Sequence, residues 1–316
     1  MCRPYAAASI FLTLALLAAS PRADAAEGSG QCMGFITSLP TVIDTAGVWC
    51  LNQNLSTTMS SGYAITINVD DVTIDCNHFE LNGRAAGVAT TAFGIYSANA
   101  NETVRHCRVR GFITGVYFLS GGNPTHDTIE DNLFEDNTGE GFDVYGDGSV
   151  VRRNIVRNIG GTPISGDIYG IFLGGSIDVE DNTVTKITGS GAAGKATGIY
   201  LSNNAYGHVS GNRIRGLEPS GTGIAYGVFV DFHLTSRPSI SDNDVTGSAF
   251  AGSVGLYSDP SNSGRCDADN NVINGFATGI SGCQDSGGNI VVPRYLRWIT
   301  PNMGKAYLAF LPRRLQ

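Results

Sequence analysis

From residue 74 onward one arrangement of apolar and polar positions recurs: an aliphatic residue, two polar residues, Asn, any residue, then an aliphatic residue or Phe. It reads Ile74…Asn77…Phe79, Ile129…Asn132…Phe134, Val151…Asn154…Val156, Val179…Asn182…Val184, Val209…Asn212…Ile214 and Ile240…Asn243…Val245. Val104…Cys107…Val109 puts Cys in the Asn place, and Ala268…Asn271…Ile273 has a weak first position. Successive Asn-type positions are 30, 25, 22, 28, 30, 31 and 28 residues apart. Between them falls a Gly-aliphatic-aromatic triplet: Gly94-Ile95-Tyr96, Gly115-Val116-Tyr117, Gly170-Ile171-Phe172, Gly198-Ile199-Tyr200, Gly227-Val228-Phe229 and Gly255-Leu256-Tyr257. Gly141-Phe142-Asp143 and Gly279-Ile280-Ser281 are its two variants. Short apolar/polar alternation punctuated by turn residues predicts short strands, with the irregular lengths taken up in loops such as 160–166 and 189–196.

A strand repeat of this period cannot bury its apolar face alone, so the copies must stack. In the simplest stack each copy makes one coil, and each strand pairs in parallel with its equivalent about 4.8 Å away. Aliphatics then line the inside, and the recurrent Asn lies at a turn where stacked amides satisfy buried backbone groups. Composition agrees. The 316 residues include 42 Gly and 23 Asn, three Lys (Lys186, Lys195, Lys305) and 15% charged positions, which disfavours helical bundles. A hydrophobic fraction of 42% supports a packed core.

The repeat resembles that of right-handed parallel β-helix proteins of the pectin-lyase-like class, over roughly residues 36–292. The opening stretch Cys32–Gly83, with Leu39-Pro40, Trp49-Cys50-Leu51 and Asp70-Asp71-Val72-Thr73-Ile74-Asp75-Cys76-Asn77, is similar to uncharacterised exported members of that class. The resemblance implies an all-β fold, a single-stranded right-handed parallel β-helix of about eight coils. A leucine-rich repeat would need a Leu ladder, which this sequence lacks.

Residues 1–25 read as a signal peptide: Arg3, an apolar run from Ala6 to Ala19, then Ala23-Asp24-Ala25 as a cleavage site. That run is too short for a transmembrane anchor, and no later segment is long and apolar enough to span a bilayer. The expected organisation is a leader at 1–25, an N-terminal cap and first coil at 26–73, repeats at 74–292, and a C-terminal cap or flexible basic tail at 293–316. Localisation is periplasmic or secreted. Beyond the leader stand Cys32, Cys50, Cys76, Cys107, Cys266 and Cys283. An even number in an exported chain reads as disulfides, and proximity favours Cys32–Cys50, Cys76–Cys107 and Cys266–Cys283. A metal cluster competes poorly, because no CxxC pair occurs and the His residues are scattered.

Charge narrows the partners. Residues 26–292 carry 27 acidic and 13 basic side chains, a net −14, whereas 293–316 carry five basic residues and no acid. An acidic body repels nucleic acid and anionic membrane. The positions flanking the aliphatics alternate in sign from copy to copy: Arg105, Glu130, Arg152, Glu180; then His106, Asp131, Arg153, Asp181; then Arg110, Glu135, Arg157. Such alternation reads as ion-pair ladders that favour the correct register, in preference to catalytic carboxylates at Glu130-Asp131 or Glu180-Asp181.

Strand alternation sends Tyr96, Tyr117, Phe172, Tyr200, Phe229 and Tyr257 outward as a ladder. Sugar rings stack on such faces, although stacked aromatics also stabilise parallel strands. Asp143 interrupts the ladder. Two-residue alternation carries its face to Tyr145 and Asp147, and carries Phe229 to Asp231 and His233, and Tyr257 to Asp259. Carboxylates beside aromatics suit acid/base glycan chemistry, which makes Asp143, Asp147, Asp231 and His233 the candidate catalytic groups. Asp143 and Asp231 stand three coils apart and cannot form one compact pair. The turn at 123–127 adds a His and an Asp.

Against the resemblance, the catalytic motifs are absent: no paired-Asp arrangement of polygalacturonase-like hydrolases, no Arg-x-Pro-x-x-Arg of pectate lyases, and no Asp-Pro-His-Asp of alginate epimerase-like members. No family catalytic residue carries over. The reading favours a monomeric, non-catalytic module or scaffold for a polysaccharide or cell-surface glycan, without a cofactor. The alternative is a polysaccharide lyase, hydrolase or epimerase, with Ca²⁺ entering only for a lyase.

Overall fold

A computed structural model describes residues 32–119, 125–202, 205–231, 237–261 and 265–292. The expected leader, the basic tail and His233 lie outside these residues. The described chain forms short strands that assort into three parallel sheets of 11, 10 and 10 strands. Neighbours within each sheet lie mostly three strands apart in sequence, so the chain visits the three faces in turn and begins again one coil further on. Sheet one contains Val72–Asp75, Thr103–Arg105, Thr128–Glu130 and their successors. Sheet two contains Glu80–Asn82, Arg108–Arg110 and Leu133–Glu135, and sheet three contains Phe93–Ser97, Thr114–Phe118 and Glu140–Tyr145. The same geometry continues outside the repeats, from Gly34–Ile36 at one end to Ile290–Val292 at the other.

The aliphatic positions stack as the periodicity requires. Ile74, Val104, Ile129, Val151 and Val179 follow one another in register along sheet one. Leu81, Val109, Phe134, Val156 and Val184 do so along sheet two. All ten are buried, each contributing on the order of 1.5–3 kcal/mol of transfer free energy.

The Asn column lies at the turn between sheets one and two. Asn182 is typical: its Nδ2 donates to Val151 O (3.0 Å) and to Asn212 Oδ1 (3.0 Å), and its Oδ1 accepts the Asn154 backbone N–H (2.9 Å). The pattern repeats through Asn132, Asn154, Asn182, Asn212, Asn243 and Asn271, and ends on Asn289. The residue before each Asn turns left-handed, for example Asp131 (φ 56°), Asp181 (φ 54°) and Gly211 (φ 67°). Arg153 adopts the same conformation (φ 55°), which is costly for a bulky residue. Its guanidinium is held by Asp131 (2.6 Å) and Glu130 (2.9 Å).

One copy departs from the sequence pattern. The turn after Ile74 is two residues longer than its successors, so Leu81, not Phe79, pairs with Val109. Asn77 is exposed and donates to Leu51 O (2.9 Å), outside the buried column. Cys107 instead terminates the column, its N–H donating to Asn132 Oδ1 (2.9 Å), and it is joined to Cys76. Cys32–Cys50 and Cys266–Cys283 also form, towards the two ends of the described solenoid.

The alternating charges form ion pairs over part of their length: Glu130, Asp131 and Glu135 are paired with Arg, whereas Arg105 turns away from Glu130, and Glu180 and Asp181 make no ion pair among the described residues. Arg105 meets Asp75 (2.9 Å), Arg152 meets Glu130 (2.8 Å), and Arg157 meets Glu135 (2.5 Å). In each pair the acid is largely covered and the Arg partly open to solvent, which holds the contribution to about 0.2–1 kcal/mol each.

Candidate functional site

Sheet three carries the aromatic face. Tyr96, Tyr117, Asp143, Phe172, Tyr200, Phe229 and Tyr257 stand in one unbroken register. Phe172 and Tyr200 stack with centroids 4.7 Å apart, and Tyr200 and Phe229 with centroids 5.1 Å apart. A second column, not read from the sequence, runs beside the first: Tyr63, Phe93, Thr114, Glu140, Tyr169, Thr197 and Tyr226. Its rings contact those of the first, Phe93 with Tyr117 at 4.9 Å and Tyr169 with Phe172 at 5.2 Å.

The conserved geometry of the Gly position explains the spacing between columns. A Cβ on Gly141 would sit 2.4 Å from Gly170 O and 2.5 Å from Val156 Cγ1, so only glycine fits against the next coil and the sheet-two core. Gly141 and Phe142 are both buried, and the outward positions on either side are therefore three residues apart instead of two. Strict alternation reaches Tyr145 from Asp143 but passes over Glu140.

The strand Glu140–Tyr145 is the one place where carboxyls stand in both columns; the second column also carries Thr114 and Thr197 between its rings. Glu140 Oε2 accepts from Thr114 Oγ1 (3.0 Å). Asp143 is 7% exposed, and its Oδ1 has no hydrogen-bond partner among the described residues. Phe93, Thr114, Tyr117, Glu140, Asp143 and Tyr169 line a groove of about 260 Å³, with Ser165 and Asp167 from the neighbouring loop on its wall. Burial pushes both carboxyls up, Asp143 further so because Glu140 stands beside it, and the pair therefore retains a proton above the ordinary carboxylate range. The Tyr117 phenol is pushed up to about 12 by burial and by the charges of Asp143 and Glu140. Tyr145 moves in the same direction for the same reasons, so these phenols donate hydrogen bonds and do not ionise near neutrality.

The sequence candidates separate in space. Asp143 sits in the groove. Asp147 lies past the strand end, where its Oδ1 accepts the Ser176 N–H (2.7 Å). Asp231 is three coils away and accepts from the Tyr200 hydroxyl. Asp259 caps its own turn through the Ser261 N–H (2.9 Å). Phe229 is only 8% exposed, packed with Tyr226 and Val254 in a small cluster of its own, whereas Tyr96, Tyr117, Phe172, Tyr200 and Tyr257 keep partly open faces. Glu140 was hidden from sequence reasoning by the Gly141-Phe142 step, and the second aromatic column was hidden by the same step.

Three continuous parallel sheets, the buried amide column and the single repeating coil define a β-solenoid. The chain belongs to the right-handed beta helix region family, whose model matches residues 93–292. No curated protein matches it by sequence. Among solved structures it is similar to the A-module of the Azotobacter vinelandii mannuronan C-5 epimerase AlgE6, at 14% identity, covering 82% of this chain and 88% of that one, with a TM-score of 0.42. It is also similar to the Dettilon tailspike protein gp208, at 12% identity, covering 74% of this chain and 60% of that one, with a TM-score of 0.31. At these identities the likeness concerns the fold alone.

Proposed function

We propose that this is an exported β-helix module that binds a polysaccharide along sheet three. The observation that carries the reading is the aromatic column Tyr96 to Tyr257, in register over successive coils and interrupted at one strand by Asp143, with a partial second column of rings beside it that holds Glu140 on the same strand. Rings repeated at the coil spacing offer stacking surfaces to a polymer laid along the solenoid axis, and the groove supplies polar groups where the rings stop. Protonated carboxyls and intact phenols donate hydrogen bonds to hydroxyls without adding full charge, which suits a neutral glycan. Three disulfides fit an oxidising compartment, to which the leader expected from the sequence at 1–25 would deliver the chain. The reading needs no cofactor and treats the chain as a monomer.

One observation favours a second reading, an enzyme acting on the same polymer. A carboxyl held protonated beside another carboxyl, in an aromatic groove, has the makings of a general acid with its partner base. Asp143 would be the acid and Glu140 its partner.

Both readings are tested by one panel of polysaccharides, with and without Ca²⁺, scored for binding, unsaturated products and new reducing ends. Binding without turnover, lost in Phe172→Ala and Tyr117→Ala, is the expected result. Turnover abolished by Asp143→Asn would replace the first reading with the second. If no glycan binds, both fall.

A further inference from the structure

A second pair of acids lies inside the solenoid, away from the groove. Glu102 is 0% exposed and Asp127 is 1% exposed. They precede Thr103 and Thr128, which are register partners in sheet one, so the two acids occupy equivalent places on adjacent coils. Elsewhere this inner column is apolar, with Val72 before them and Ile177 after Ser149. Asp127 Oδ1 accepts the Glu102 backbone N–H (3.0 Å), and the Asp127 N–H donates to Ser149 Oγ (3.1 Å), so Asp127 clasps three coils at once. Glu102 Oε1 and Oε2 and Asp127 Oδ2 receive no conventional hydrogen bond among the described residues, although the two carboxyls lie against each other.

Two ionised carboxylates cannot share such a place. Each would lose its hydration, and each would repel the other across a low-dielectric interior. The groups facing them are Ser97 from the end of a sheet-three strand, Ser149 from the start of a sheet-one strand, Thr125, and His126, whose charge when protonated favours ionised Asp127. No Lys or Arg is among them. No group of three His, Cys, Asp or Glu able to hold a metal occurs among the described residues.

We propose that Glu102 and Asp127 form a proton-dependent clasp between coils, closed while the pair retains at least one proton and strained open when it ionises. Burial raises both groups above the ordinary carboxyl range, which agrees with this geometry. The sign follows from linkage. An unfolded carboxyl ionises near pH 4, so above that pH the unfolded chain binds fewer protons than the folded one, and stability falls as pH rises through the raised folded values. The clasp thus favours mildly acidic surroundings.

The test is thermal unfolding of the full chain between pH 4 and pH 9, wild type against Glu102→Gln, together with infrared spectra at pH 7 in a Glu140→Gln/Asp143→Asn background, which removes the raised carboxyls of the groove. The expected results are a melting temperature that declines with pH in the wild type and declines less in Glu102→Gln, and, in the background without the groove carboxyls, a protonated carboxyl C=O band that disappears when Asp127→Asn or Glu102→Gln is added. Identical pH slopes in wild type and variant would overturn the proposal. So would the absence of a protonated band in the background without the groove carboxyls, which can be read even if Glu102→Gln and Asp127→Asn do not fold. A chelator that lowers the wild-type melting temperature at pH 7, with restoration by Ca²⁺, would also overturn it, because a cation would then hold the carboxyls.

Discussion

One column of amides and one of rings run along this solenoid, and the polar groups in them are held by opposite rules. At the turn between sheets one and two, each buried Asn uses its amide to bond a backbone carbonyl and the next Asn, and its carbonyl oxygen takes the preceding N–H. On sheet three, Glu140 and Asp143 replace rings in the aromatic columns, with one bond to Thr114 and one oxygen of Asp143 unpaired. A column in which every polar atom is satisfied is structure, because removing any member strands its neighbours. A buried acid left unsatisfied beside an open groove weakens the fold locally, and its presence is better explained by what enters the groove.

The contrast can be broken most severely from the satisfied side. Asn182→Ala deprives Val151 O of an amide donor and the Asn154 N–H and Nδ2 of their shared acceptor, while Asn212 Oδ1 keeps the Asn182 backbone N–H, and urea unfolding should register a loss of about 3 kcal/mol. A loss below about 1 kcal/mol would mean that water substitutes for the amide. Next, Phe172→Ala removes a ring from the middle of the platform, and glycan affinity measured by calorimetry should fall roughly tenfold, the equivalent of about 1.4 kcal/mol.

The unsatisfied side should respond to pH more than to deletion. Asp143 is raised in the folded state, so its protonated form adds stability that is fully present below about pH 4 and is lost as pH rises through the raised value. Asp143→Asn should leave stability at pH 4 little changed and make the variant the more stable protein at pH 8, as read from paired melting curves. The smallest effect belongs to the exposed ladders. Arg153→Ala breaks contacts to Glu130 and Asp131 and should cost about 0.2–1 kcal/mol, the left-handed strain being unchanged because Ala keeps the Cβ.

How far the sequence reaches differs between the two columns. The Asn column was readable because one residue type recurs at one place in each copy, and its chemistry is self-complementary. Even there Asn77 misled, since a two-residue extension of its turn cannot be seen when Phe79 mimics the expected apolar residue. Asp143 was readable as the interruption of an aromatic series. Glu140 was not, because the close approach of Gly141 to the next coil turns two successive residues inward and shifts the outward period from two to three. Asp147 and Asp231 were placed on the face by that same two-residue count, yet one serves a turn and the other a tyrosine hydroxyl.

Repetition alone determined that this chain is a coil of short parallel strands, since a strand whose apolar face recurs every copy has only its own neighbours to bury it. The disulfide pairs followed from the same order, because partners near in sequence become neighbours between coils. Which polar groups are satisfied was decided only by tertiary structure. Glu102 and Asp127 look like ordinary turn acids in the sequence, and the stacking alone encloses them, face to face, where water does not reach.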